Sequence, residues 1–364
     1  MPSITRRTFL AAAAGAAAAN AEPPPFYHDK DDLLHYLDPS GRKREVRTKR
    51  DWEKRRRHIV ANMELVMGPL PRIDHKLPLR VEVLREERTP AYTWRRIGYT
   101  AERGDRALAY LYVPHKLERG RRNPAVVSLH GTTYRRYVPT EETPGDTHYA
   151  RELASRGYVV IAPDYVLLTE EYKTDPYALG YVSGTMKGIV NHIRAVDVLA
   201  SLPQVDARHI AALGLSLGGH NALFLGVFEP RIRAVVSSAG FNTFRKYYGG
   251  NLKGWTSSRY MPRIASLYQS RPERVPFDFT EVLGGLAPRP VFVNAPVSDD
   301  NFEVSGVRDC VAAAAPVYAK VFRAAGRLVA NYPDGGHGFD PEARRQAYEF
   351  LDRWLGPPRP PSGG

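Results

Sequence analysis

Cysteine is nearly absent: the 364 residues hold one, Cys310. That excludes an intramolecular disulfide framework and any cysteine-based zinc or iron–sulfur site. Internal repeats of solenoid length are missing, and the thirty glycines follow no Gly-X-Y period, so neither a repeat array nor a collagen-like chain is present. Beyond the N-terminal stretch no apolar run reaches the 18 or more residues of a spanning helix, so no stable membrane insertion is expected. Neither H-E-x-x-H nor G-x-G-x-x-G occurs, so no metal and no organic cofactor is expected. What is there is 43% hydrophobic and 25% charged, the make-up of an ordinary globular protein with one large domain or two modest ones.

The formal charge of +13 raises the question of nucleic acid. Its distribution answers it. Ten basic residues stand between Arg42 and Arg57 against Glu45, Asp51 and Glu53, so this one stretch carries more than half of the excess. The remainder of the chain is close to neutral for its size. A solvated basic helix face explains the stretch, and no nucleic-acid partner is expected.

Residues 1–21 read as an export leader. Arg6-Arg7 followed by Phe9-Leu10 and the alanine-rich run from Ala11 to Ala19 resemble a twin-arginine signal, and Ala19-Asn20-Ala21 suits a signal peptidase. The expected partner is the twin-arginine export machinery, and the expected home is the periplasm or the outside of a bacterium. Residues 22–74 follow as an extended arm and an amphipathic helix over Asp51–Met67, stopped by Gly68-Pro69.

From about residue 75 to 357 the pattern is that of one α/β domain. Strand-like pieces at Val81–Val83, Tyr92–Tyr99 and Leu108–Val113 come first. Short, unalternated apolar runs then occur at Ala125–Leu129, Tyr158–Ala162, Ile210–Leu213, Ala234–Ser237, Val291–Val293 and Leu328–Ala330, as strands buried on both faces require. Helical stretches lie between them at Thr147–Arg156, Tyr181–Leu202, Leu217–Phe228, Val307–Ala325 and Pro341–Leu355. This alternation predicts a mostly parallel central sheet with helices on both faces. An aromatic, basic segment over 240–285 interrupts the rhythm after the sixth core strand region and is read as a cap-like insertion. Residues 358–364 are expected to be a disordered tail.

The run Ile210–Leu213 leads into Gly214-Leu215-Ser216-Leu217-Gly218 and then a helix, which is G-x-S-x-G in its required strand–turn–helix setting. Such a turn lifts the serine hydroxyl above the carboxyl end of the sheet and aims the helix's free N–H groups at the same spot. A serine needs a base to become nucleophilic. His337, in a glycine-rich loop between the last strand and the last helix, is the candidate. Asp299 and Asp300 follow the strand before it, and only one of them can orient the imidazole. The order Ser, Asp, His along the chain is that of α/β-hydrolases. The oxyanion donors expected are the backbone N–H of Leu217 and that of Gly131 or Thr132 in the loop after Leu129. His130, His192, His209, His220 and Asp164 are read as structural.

Residues 124–355 resemble the α/β-hydrolase superfamily, in the branch of dienelactone hydrolases, prolyl-oligopeptidase-type catalytic domains and acetyl xylan esterases. Asp299-Asp300-Asn301 is similar to the acid loop of the prolyl-oligopeptidase-type domains, and that resemblance selects Asp299. Dienelactone hydrolases carry cysteine where this chain has Ser216. The passage from Ser183 through Ala222 looks like exported acetyl-xylan-esterase-like hydrolases. The resemblance implies an exported serine hydrolase of carboxylic esters, acting on acetyl xylan or another carbohydrate ester. Trp255, Arg259 and Tyr260 of the insertion are the candidate substrate contacts, because aromatics stack on sugar rings and arginine holds carboxylates. The alternatives are a prolyl-oligopeptidase-type peptidase and a non-catalytic binding protein on the same fold. The roughly fifty mature residues before the first strand are too few for a gating propeller, whose single blade takes about 40–45.

Overall fold

The computed structural model describes residues 23–115, 122–132, 148–168 and 171–358. The expected leader lies outside them, as does the expected tail except for Pro358, which sits against Gly157.

The expected extended arm holds a small hairpin, β1 (His35–Leu37) and β2 (Lys43–Glu45). It feeds α1 (Lys49–Met67), which starts in a capping box between Thr48 and Asp51 and stops at Gly68. The solvated-face reading of its basic run needs correction. Arg55 is buried and pairs with Glu281 at 2.6 Å, and Arg56 donates to the carbonyls of Gly285 and Val227. Both cations face the protein because the helix packs on the insertion and the end of the helix over Leu217–Phe228, whose polar groups meet them.

A nine-stranded sheet follows. Its strands in chain order are β3 (Glu82–Arg88), β4 (Tyr92–Glu102), β5 (Asp105–Pro114), β6 (Asn123–Leu129), β7 (Val159–Pro163), β8 (Val205–Leu215), β9 (Ile232–Ser238), β10 (Val291–Asn294) and β11 (Leu328–Asn331). In space they run β11-β10-β9-β8-β6-β7-β5-β4-β3. The pairings from β11 to β7 are parallel, and those joining β7, β5, β4 and β3 are antiparallel. Along β6 the residues Ala125, Val127 and Leu129 enter the hydrophobic core on one face, and Val126 enters the core on the other. That two-sided burial is the reason these strands read as continuous apolar runs.

The helices are α2 (Tyr149–Ser155), α3 (Gly184–Ser201), α4 (Leu217–Phe228), α5 (Arg263–Ser266), α6 (Phe279–Gly285), α7 (Val304–Pro316) and α8 (Pro341–Leu355). The sheet has helices on both faces: α1, α3, α4, α6 and α7 share one core, and α2 and α8 the other. Ser183 caps α3 by accepting from Met186 N–H, and its hydroxyl donates to Met67 at the end of α1, so two helices are pinned at one residue. Such a cap is worth about 1 kcal/mol. The stretch expected to be helical through Ala325 ends as α7 at Pro316 and continues as a π-turn over Val317–Val321. The insertion leaves β9 and is not self-contained: Phe241, Phe244, Trp255, Phe277 and Phe279 belong to the core shared with α1 and α4. Among the described residues no helix is long and apolar enough to cross a membrane.

Candidate active site

Ser216 stands between β8 and α4 with φ 56° and ψ −118°, a backbone conformation few side-chain-bearing residues adopt. The turn exists because its flanks are bare. A Cβ on Gly218 would overlap the Leu129 carbonyl, and one on Gly214 would overlap the backbone of Gly218 itself. Ser216 N–H donates to Ser238 O at 2.9 Å, which ties the turn to the end of β9.

The loops after β10 and β11 are laced together by backbone hydrogen bonds that continue the strand pairing outward. Ala295 donates to Asn331, Val297 to Pro333 and Ser298 to Gly335, each at 2.9 Å. This lacing sets Asp299 beside His337. His337 Nδ1 lies 2.9 and 3.1 Å from the two Asp299 carboxylate oxygens, and Nε2 lies 2.9 Å from Ser216 Oγ. Since a carboxylate only accepts, Nδ1 carries the proton and the Nε2 lone pair faces the serine hydroxyl. Asp299 is buried and is fixed by Asn301 and Phe302 N–H at 2.8 and 3.0 Å, whereas Asp300 is exposed. Three side chains separated by up to 121 residues thus form one hydrogen-bonded row.

Leu217 opens α4, and Gly131 and Thr132 leave β6 directly beside the elbow. A Cβ built on Gly131 would lie 3.6 Å from Ser216 Cβ. His130 shapes this loop: its Nδ1 donates to Gly131 O at 2.8 Å and its Nε2 accepts from Tyr165 N–H at 3.1 Å. Burial lowers its pKa, in keeping with a Nε2 that accepts rather than donates.

Ser216 and His337 open onto a cavity of about 310 Å³ lined also by Thr132, Leu217, His220, Tyr247, Gly254, Trp255, Tyr260, Asn301 and Phe302. Of the expected contacts, Trp255 and Tyr260 are in this wall. Arg259 is not: it lies outside the lining, and its backbone carbonyl accepts from Tyr165 Oη at 2.7 Å. Arg259 is a candidate because arginine holds carboxylates, but the described part of the cavity wall takes Trp255 and Tyr260 and leaves Arg259 out. Tyr247, Asn301 and Phe302 went unremarked as site residues. For the last two the signal was available, since they directly follow the acid-bearing Asp299-Asp300. His220 packs 4.8 Å from the Trp255 ring, and burial pushes its pKa to about 3, so it is not a second base. Asp164 is engaged by Arg96 at 2.8 and 2.6 Å, in keeping with a structural role. Among the described residues there is no group of three or more His, Cys, Asp or Glu placed to hold a metal ion.

Two family models match the chain: acetyl xylan esterase (AXE1) over residues 75–247, and glucuronyl esterase of fungi over residues 190–321. The first includes Ser216, and the second includes both Ser216 and Asp299. No curated protein matches. Among solved structures, a glucuronoyl esterase from Solibacter usitatus superposes with a TM-score of 0.68 at 20% identity, covering 91% of this chain and 99% of that one. A carbohydrate esterase family 15 glucuronoyl esterase from Caldicellulosiruptor kristjansonii gives 0.62 at 20% identity, covering 89% and 90%. A putative acetyl xylan esterase from Bacteroides fragilis gives 0.57 at 15% identity, covering 83% and 85%. At these identities the superpositions establish the fold, and the family models carry the chemistry: the chain is an α/β-hydrolase of the carboxylic ester hydrolase kind.

Proposed function

We propose that this chain is an exported serine esterase that cleaves a carbohydrate ester by acyl transfer through Ser216. The observation that carries the reading is the His337 imidazole, held 2.9 Å from Asp299 on one side and 2.9 Å from Ser216 Oγ on the other. His337 takes the hydroxyl proton as Oγ attacks the ester carbonyl, while Asp299 keeps the imidazole in the right tautomer and steadies its cation. The N–H of Leu217 and that of Thr132 or Gly131 receive the oxyanion, each such donor being worth about 2.7–4 kcal/mol of barrier. His337 then passes the proton to the departing alcohol. Water, activated by the same imidazole, releases the acid.

The sugar assignment rests on the aromatic side chains in the lining of the cavity, which among the described residues includes no lysine, arginine, aspartate or glutamate. Such a wall suits an uncharged ring lying against Trp255, Tyr260 and Phe302. An ester of glucuronic acid and an acetylated xylose both meet that demand: the carboxyl of the first is esterified and the sugar of the second has none. The export reading rests on Arg6-Arg7 and the alanine-rich run behind them.

One experiment addresses the whole reading. A fluorophosphonate probe applied to fractions of the native host is expected to label Ser216 in a periplasmic or secreted protein lacking the first 21 residues. The purified protein is expected to hydrolyse p-nitrophenyl acetate and either acetylated xylan or an alkyl glucuronate, and to leave an Xaa-Pro-anilide intact. Cleavage of the anilide alone would replace the esterase reading with a peptidase. A protein that resists the probe and cleaves nothing would fit the non-catalytic alternative.

A further inference from the structure

We propose that Tyr260 is a positioning residue for hydrolysis: its hydroxyl latches the hydroxyl of Thr132 and holds the loop after β6 where the oxyanion forms. The inference rests on the acyl-transfer reading above and assigns Tyr260 a task other than sugar stacking.

Thr132 Oγ1 and Tyr260 Oη are 2.7 Å apart and belong to residues 128 positions apart in the chain. Thr132 is exposed, at the point where the backbone has left β6 and its ladder. The preceding residue is steadied by His130, but Thr132 itself gains a fixed side-chain anchor from the insertion. That anchor stands on rigid supports. Tyr260 N–H donates to Ser257 O at 2.9 Å, and its carbonyl accepts from Thr185 in the first turn of α3. Gly184 N–H donates to Ser258 O at 3.2 Å, a contact open only to glycine, because a Cβ there would come within 2.5 Å of Arg259 O. The Tyr260 ring is flanked by His220 at 5.9 Å and Trp255 at 6.0 Å.

The physical consequence concerns preorganisation. An oxyanion donor helps only if its N–H already points where charge will develop, and a shift of about 1 Å can cost a factor of 10². A hydroxyl–hydroxyl bond to a side chain seated on an 18-residue helix and an aromatic wall supplies that restraint across the mouth of the site. The latch carries no charge and moves no proton in the reaction. It acts through Thr132, so its loss should lower turnover and leave ground-state binding nearly intact.

The test is a double-mutant cycle on p-nitrophenyl acetate with Tyr260→Phe and Thr132→Val. Thr132→Val keeps the backbone N–H and lies at an exposed position, so it remains informative even if the tyrosine variant folds poorly. Each single variant is expected to lose about tenfold in kcat, with KM within about twofold. The double variant is expected to be no slower than the slower single one. Unchanged kcat in Thr132→Val, a loss confined to KM, or losses that multiply in the double variant would each overturn the latch. Fluorophosphonate labelling of Ser216 in all three variants separates this outcome from failure of the acyl-transfer reading, which would show as an unlabelled wild type.

Discussion

The adjacent pair Asp299 and Asp300 separates two readings of one carboxylate loop. Asp299 is buried, takes two N–H bonds from its own loop and faces His337 Nδ1, whereas Asp300 points to solvent. Asp299→Asn replaces an acceptor with a group that can donate, which favours the wrong imidazole tautomer. The expected loss in kcat is on the order of 10⁴, the scale known for such a change in a serine protease. Asp300→Asn is expected to stay within about twofold of wild type in the same assay. Equal losses in the two variants would remove the hydrogen-bonded row as the basis of catalysis. The choice between these neighbours was legible only through family resemblance. Two consecutive carboxylates look alike in one dimension, and burial is what sets them apart.

At the scale of elements, the interface between α1 and α6 carries a buried ion pair. Arg55 and Glu281 are both without exposure, and the guanidinium also lies 3.5 Å over the Tyr27 ring. Removing one member strands a buried charge, so Arg55→Ala is expected to lower stability by about 3–5 kcal/mol in urea unfolding. Replacing both members by apolar residues, as in Arg55→Met with Glu281→Leu, is expected to recover most of that. A single variant as stable as wild type would show that the pair is not what joins these helices. Neither α6 nor the inward turn of Arg55 was readable from the sequence. A run of basic residues on a helix is ordinarily solvated, and the acid that draws this one inward stands 226 positions away. By contrast, α4 and α8 agree with the sequence reading at both ends, because local signals fix them: the Ser216 elbow before one, and Asp340 with Pro341 at the start of the other.

Across the whole molecule, the N-terminal segment, the insertion and the wall of the cavity form one packed unit. Asp278 caps α6, takes the N–H groups of Phe244 and Phe279, and has Lys30 and Glu281 as its charged neighbours. Burial outweighs those bonds and pushes its pKa up to about 7. In the unfolded chain an aspartate titrates near 3.9. Between these values the folded form holds a proton that the unfolded form has lost, so stability from this group is complete below about pH 4 and drains away as pH rises to about 7. Asp278→Asn cannot titrate. The urea midpoint of wild type relative to this variant is therefore expected to fall from pH 4 to 7 and then level off. A difference that stays constant with pH would mean that Asp278 is ionised throughout. The phenylalanines involved, Phe244 and Phe279, pack against Trp255 at 5.8 and 5.4 Å, so the same buried acid lies beneath the cavity wall.

The sequence by itself determined the strand–helix alternation, the strained serine turn and the order of the acid and base loops. Each of these depends on neighbours within one element or turn. Tertiary structure decided that Asp299 is buried against the imidazole while Asp300 is exposed, that Arg259 stays outside the described cavity wall, and that a basic helix turns two cations inward. Those outcomes depend on burial and on partners from 38 to 229 positions away, and a linear pattern carries neither quantity.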